Sequence, residues 1–226
     1  MSPAGNGGPT LREPTARTEE GKRMGTVVAH ASMSLDGYIA KADNSIGRLF
    51  DWYEAGEVEV PTVTPGLTFH LTAASAAYWQ EWTADLGVIV CGRTLFDATD
   101  GWGGRHTMDA PVVVVTHRVP TDWVRSHPGA PFEFVTEGVP AALARAQQIA
   151  GSRTVAVTAG TIAAQCLQLG LLDVVAVDLV PVVMGSGRPF FPGLAGEDLP
   201  LGDPEVCVPS TRVTHLRMPV RRAGGS

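Results

Sequence analysis

Cysteine is scarce in this chain. The 226 residues contain Cys91, Cys166 and Cys207, an odd number with no shared spacing. A disulfide framework is therefore excluded, and buried thiols in a cytoplasmic protein are expected. The six histidines (30, 70, 106, 117, 127 and 215) show no metal-ligand spacing, so no metal is expected. No apolar run reaches the roughly 18 residues that a membrane span requires, and no apolar stretch of a secretory signal stands at the N-terminus. Cations are also in deficit: 17 Lys and Arg face 23 Asp and Glu, for a net charge of −6. That balance argues against a broad nucleic-acid face but leaves room for a local basic pocket, so a small molecule is the expected partner. Two familiar motifs are missing as well. No G-x-S-x-G nucleophile elbow occurs, which disfavours a hydrolase. Gly185-Ser186-Gly187 lacks a third glycine and is followed by Pro189 and Pro192, which forbid the helix of a Rossmann loop.

What remains is a globular composition, 44% hydrophobic and 18% charged. Residues 1–23 are rich in Gly, Pro, Thr and charge without apolar periodicity, and read as a disordered leader to a single domain over 24–226. Strands are predicted at Thr26–Met33, Leu86–Cys91, Pro111–Thr116, Phe132–Thr136, Thr154–Thr158 and Asp173–Val183. Helices are predicted at Thr72–Ala84, with Thr72 as N-cap and Ala73, Ala76, Ala77 and Trp79–Trp82 toward the core, at Val139–Ala150, stopped by Gly151, and at Ile162–Leu169. Residues 41–69 read as a long irregular segment. Glu205–Pro219 reads as an antiparallel closing hairpin, with its turn at Pro209-Ser210. All-apolar strands alternating with helices define an α/β class with a mainly parallel sheet covered on both faces.

Three predicted strands end in similar chemistry. Cys91 runs into Gly92-Arg93-Thr94, Val115 into Thr116-His117-Arg118, and Val157 into Thr158-Ala159-Gly160-Thr161. In open α/β sheets the ligand crevice lies beyond the carboxyl ends of the strands, so these turns would share one edge. Two arginines, a histidine, hydroxyls and helix N-termini suit a ligand with several phosphates. An Arg beside a hydroxyl or His suits an adenosine 2′-phosphate, because guanidinium pairs bidentately with phosphate oxygens. Asp36, Asp51 and Glu54 are the candidate polar partners near the crevice. Trp52, in the long loop, could stack on a flat substrate ring. His30 reads as a satisfied core or cleft residue.

The runs Ser32–Ala40 (SMSLDGYIA), Cys91–Phe96 (CGRTLF), Val112–Arg118 (VVVVTHR) and AGT…LGLLD…VPVVMGSGRPFF within 159–191 resemble the dihydrofolate reductase-like superfamily. More closely they resemble the reductase domain of the bifunctional riboflavin-biosynthesis deaminase-reductase, the RibD C-terminal family, over Thr26–Pro219. The resemblance implies a three-layer fold with a C-terminal antiparallel hairpin, NADPH as hydride donor and a homodimer. It implies that Gly92, Arg93 and Thr94 hold the 2′-phosphate and pyrophosphate region, and that Thr116, His117 and Arg118 flank the adenosine phosphate. Ala159, Gly160, Thr161 and Ile162 would cradle the pyrophosphate, and Ser32 and Ile39 would line the nicotinamide. Asp36 and the turn Gly185, Ser186, Gly187 would border the substrate pocket. The early acid that dihydrofolate reductases use on the pterin has no recognisable counterpart, with Asp51 or Glu54 as stand-ins; Asp36 and Asp51 are thus the catalytic candidates, and the loop reading keeps Trp52 against the substrate. The sequence departs from the family at Thr158, where a Glu usually precedes the Ala-Gly pair. The zinc-binding residues of the deaminase half are not in it.

The implied activity is hydride transfer to a small heterocyclic or phosphoribosyl-type substrate, as in 5-amino-6-(5-phosphoribosylamino)uracil reductase. A pterin-type reductase and a non-catalytic NADP-binding protein are the alternatives.

Overall fold

β-Branched residues build the centre of the molecule. The computed structural model describes residues 24–194, 196 and 198–221, so the leader expected over 1–23 lies outside the described residues. From the N-terminus come β1 (Val27–Ser34), β2 (Tyr38–Ala40), β3 (Val58–Pro61), β4 (Thr68–Leu71), α1 (Ala73–Ala84), β5 (Leu86–Gly92), α2 (Arg93–Ala98) and β6 (Val112–Val115). Then follow α3 (Thr121–Ser126), β7 (Phe132–Val135), α4 (Val139–Ala150), β8 (Thr154–Thr158), α5 (Thr161–Gln168), β9 (Val174–Val180), β10 (Arg188–Pro189), β11 (Val206–Ser210) and β12 (Val213–Pro219).

The main sheet has eight strands in the order β11-β12-β9-β1-β8-β5-β6-β7. The six from β9 to β7 run parallel, and β12 and β11 add an antiparallel edge. Alternation along each strand sorts the core into layers. Val27, Ala29, Val88, Val90, Val155 and Val157 pack with α4 and α5 on one face. Val28, Ile89, Cys91, Val112 and Val114 pack with Trp82 of α1 and Phe96 of α2 on the other. A third cluster (Leu49, Trp52, Phe69, Leu71, Trp79) sits under β3 and β4 beside Val180 and Val213. Among the described residues no helix is long and apolar enough to cross a membrane.

Four local expectations are corrected. Residues 41–69 are not irregular throughout: Asp51–Tyr53 forms a 3-10 turn, and β3 pairs antiparallel with β4. The Leu67 amide donates to the Thr64 carbonyl (3.1 Å) around Pro65-Gly66, and Gly66 has φ +76°. Proline then glycine with positive φ is the chemistry of a type II turn. In the closing hairpin, Pro209 and Ser210 belong to β11 and the reversal lies at Thr211-Arg212, with Arg212 at φ +64°. Proline fits there because β11 is an edge strand, where a missing amide donor costs no ladder bond. On α1, the Ser75 amide donates to Thr72 Oγ1 (3.2 Å) as the cap reading required, but Ala73, Ala77, Gln80 and Glu81 are exposed, while Ser75, Ala76, Tyr78, Trp79 and Trp82 face inward. Finally, Cys91 and Cys166 are buried but Cys207 is exposed on β11. Burial pushes the Cys91 and Cys166 thiols up to about 12, which makes them poor nucleophiles.

Candidate active site

The carboxyl ends of β1, β5, β6 and β8 open into a cleft of about 1590 Å³. Typical small-molecule sites occupy roughly 300–1,000 Å³, so this one has room for two ligands side by side. All three strand-end turns line it. Two close approaches show how tightly they converge. A Cβ on Gly92 would stand 3.2 Å from Ile162 Cγ1, so the turn after β5 touches the first turn of α5. Gly160, at φ +103°, faces Ile39 Cδ1, which joins β2 to the same wall.

At the β5–β6 end the polar groups are interlocked. Arg93 donates through Nε to Asp97 Oδ1 (2.7 Å) and through Nη1 to the Arg118 carbonyl (2.8 Å) and Thr116 Oγ1 (3.4 Å). The Thr116 hydroxyl also donates to the Arg118 carbonyl (2.9 Å). This fixes the guanidinium of Arg93 beside the exposed His117 and Arg118, which also line the cleft. Thr94, Ala159 and Thr161 complete that wall, while Ser32 and Ile39 line it near the end of β1.

Five other candidate residues lie elsewhere. Trp52 is 1% exposed: its ring stacks on Tyr53 (4.1 Å) inside the third core cluster, and its Nε1 donates to Ser32 Oγ (3.1 Å). No face of it is left for a substrate ring. Asp51 accepts from Arg48 Nε (2.7 Å) and stands outside the cleft, as do Gly185 and Ser186. Gly187 does line it, pressed so close to the Ala40 carbonyl that a Cβ would fall 2.3 Å from that oxygen. Asp36 is turned to the backbone. Its carboxylate accepts from the amides of Met184 (3.0 Å) and Gly185 (2.7 Å) and from Ser34 Oγ (2.7 Å), so it ties the 184–187 turn to the end of β1.

The Met184 amide, then Ser34, hold the Asp36 carboxyl down at about 2. The folded state keeps this group ionised below the usual carboxylate range. Its contribution is complete above about pH 4, the ordinary aspartate value, and is lost as pH falls toward 2. Protection of the Met184 and Gly185 amides from exchange, relative to the intrinsic rate at each pH, should persist at pH 4 and fall toward pH 2, and Asp36→Ala should abolish it at both. Retained protection in that variant would contradict the tether.

Glu54 and His30, both read from the sequence, line the cleft as well; the aromatic part of its wall was not anticipated. Tyr53, Phe69 and Trp79 form a stacked and edge-on set, and Trp102 meets His106 edge-on at 4.5 Å. Trp102 reaches this position through a left-handed run from Asp100 to Gly104, with φ between 48° and 93°. Three glycines in that run lower its cost. Burial pushes His106 down to about 4. Its Nδ1 accepts from the Met108 amide (3.2 Å), which leaves the proton of the neutral ring on Nε2.

A buried polar chain starts at the cleft. His30 Nε2 and His215 Nδ1 donate to the two oxygens of Asp178, at 3.0 and 2.7 Å, and Ser75 Oγ lies 2.9 Å from His215 Nε2. Ser75, His215 and Asp178 stand in the order of a hydrolytic triad, but all three are at most 1% exposed, so no substrate reaches the serine. A signal for this chain exists in the sequence: Asp178 is the lone charge in the apolar run VVAVDLV, and a buried charge requires partners.

An open, mainly parallel sheet with helices on both faces, an antiparallel edge and a long cleft beyond its strand ends defines a dihydrofolate reductase-like α/β protein. The RibD C-terminal domain model matches residues 25–213, and the chain belongs to that family. No curated protein sequence matches it. Among solved structures it is similar to a Shewanella sp. PV-4 protein assigned to riboflavin biosynthesis, at 18% identity and TM-score 0.59, covering 87% of this chain and 99% of that one. It is also similar to the Thermotoga maritima diaminohydroxyphosphoribosylaminopyrimidine deaminase/5-amino-6-(5-phosphoribosylamino)uracil reductase (13%, TM-score 0.57), covering 88% of this chain and 57% of that longer one. Dihydrofolate reductase from Enterococcus faecalis, solved with NADP(H), matches at 16% identity and TM-score 0.52, covering 89% and 99%.

Proposed function

We propose that this chain is an NADPH-dependent reductase acting on a C=N or C=O bond of a small heterocyclic substrate. The observation that carries the reading is the locked Arg93–Thr116–Arg118 group at one end of a cleft large enough for a dinucleotide and a second molecule. The residues fit the cofactor. Arg93 and Arg118 offer cationic donors for a 2′-phosphate, with His117 beside them. The α5 N-terminus, opened by Gly160, offers backbone amides to a pyrophosphate. Bound there, NADPH supplies the hydride. The protein holds the two reactants in register between its polar end and its aromatic wall. RibD C-terminal family membership and the NADP(H) bound to a structurally similar dihydrofolate reductase support the reading.

Thr158, which lines the cleft, presents a hydroxyl where the family's riboflavin enzymes usually have a carboxylate. The substrate side therefore differs from theirs, and the phosphoribosylaminouracil is one candidate among pterin and other heterocyclic substrates. Tryptophan-fluorescence titration tests the cofactor. NADPH should bind at least about tenfold tighter than NADH, since one charge-assisted contact is worth roughly 1.5–3 kcal/mol. A chain that binds neither nucleotide overturns the reading.

A further inference from the structure

Reduction of a C=N or C=O bond needs a proton as well as a hydride. Of the three acids singled out in the sequence, Asp36 and Asp51 stand outside the cleft, and Glu54, which lines it, is paired with His70. Resting on the reductase reading, we propose that His30 supplies this proton from its Nδ1, with Asp178 as its positioning partner.

His30 lines the cleft on the same strand face as Ser32, level with Thr158 of β8. Its Nε2 is engaged by Asp178 Oδ2, and its Nδ1 has no hydrogen-bond partner among the described residues. A carboxylate only accepts, so Nε2 keeps its proton and Nδ1 is the atom left to exchange one with a ligand. The other titratable groups on the wall are less suited. His106 is held neutral, so it can offer a hydrogen bond but carries no second proton to release. His117 stands beside Arg118 at the phosphate end, and Glu54 is paired with His70. Burial drives the Tyr53 hydroxyl far above its usual range.

The surroundings of His30 are built to hold it. Asp178 is 1% exposed, and burial by itself would raise its carboxyl. The charge of His30 and the hydrogen bonds and charge of His215 outweigh burial and keep it ionised below the usual range. The Asp178 carboxylate holds the Nε2 edge of the ring, which fixes its orientation in the cleft wall. The ring leans on Trp82 at 4.8 Å, over which Arg217 of β12 stands at 5.4 Å. The titratable groups facing this pair are His215 and Arg217 from β12, Tyr78 from α1 and Tyr53 from the 3-10 turn.

In the step, the Nδ1–H bond of His30 breaks. The electron pair of the substrate's C=N or C=O π bond takes that proton on nitrogen or oxygen, and the carbon is left to accept the hydride that bound NADPH would supply. His30 is left neutral, still donating through Nε2 to Asp178, and water entering the open cleft returns a proton to Nδ1.

The test pairs a ring-nitrogen measurement with a variant. In protein labelled with ¹⁵N-histidine, the His30 Nε2 should remain protonated from about pH 5 to about pH 9, while Nδ1 gains and loses its proton within that range. His30→Gln keeps a donor for Asp178 but has no proton to release. It should bind NADPH within about twofold of wild type. With 7,8-dihydrofolate or 9,10-phenanthrenequinone as probe, NADPH oxidation should fall by about 100-fold or more and lose its decline at high pH. A His30 Nδ1 fixed in one state throughout the range overturns the proposal, with or without turnover of either probe. Undiminished turnover in the Gln variant does so too. Failure of the wild-type chain to bind NADPH removes the reductase reading instead, and the nitrogen titration then still reports whether His30 exchanges a proton.

Discussion

Arg93→Ala is expected to weaken NADPH binding by about 10- to 100-fold and to leave NADH almost unchanged. The two nucleotides differ only in the 2′-phosphate, so a selective loss would isolate the contact proposed for the guanidinium there. The structure explains why one side chain should matter so much. Arg93 is held by Asp97 through Nε and by the Arg118 carbonyl and the Thr116 hydroxyl through Nη1, so it meets a ligand with its rotamer already fixed. A guanidinium held in advance loses less entropy on pairing than a free one. Arg93→Lys should recover little, because a lysine cannot reproduce that fork. Paired titrations of NADPH and NADH decide the matter: equal weakening of both would mean that Arg93 shapes the turn rather than reads the phosphate.

Trp52→Ala should act on stability. A buried Trp replaced by Ala typically costs about 3–5 kcal/mol. Here it also strips Ser32 Oγ of its indole donor and leaves Tyr53, Trp79 and His215 facing a void. For a chain of this size that corresponds to a fall in Tm of roughly 6–20 °C. Trp52→Phe keeps most of the packing but loses the hydrogen bond and some volume, and should fall between wild type and the Ala variant. Thermal and urea denaturation measure both. An Ala variant with unchanged Tm but impaired ligand binding would return Trp52 to the substrate-stacking role that its burial excludes.

How much of this was legible in the sequence divides along contact range. The continuous apolar runs marked β5, β6, β8 and β9, and the polar or glycine residues at their ends marked the turns after β5, β6 and β8, because runs of one character and turn chemistry are local. The pairing of β3 with β4 was also locally encoded, in Pro65-Gly66 flanked by VEVP and TFHL, but strands of four residues are too short for a clear period. Side-chain destinations were not legible. Asp36 sits beside a turn, and nothing nearby shows that its partners are amides 148 and 149 residues away. Trp52 looks like a loop aromatic until its bond to Ser32, 20 residues earlier, draws it inward. His30 and Asp178 are 148 residues apart, and only the sheet order, which sets β9 beside β1, brings them together.

The Asp178 carboxylate, with one oxygen on His30 and the other on His215, also bears on how this cleft can diversify. The residue at position 30 lines the cleft, yet its inner edge belongs to the core. Variation at this spot is therefore confined to side chains that still bring a donor to the anion, or must arrive together with a change at Asp178. Drift toward a new substrate should proceed more freely through Phe50, Leu67 and Trp102, which line the cleft and hold no such bond. In divergent copies of this chain, positions 30, 178 and 215 should then change as a set while those three wall positions vary one by one.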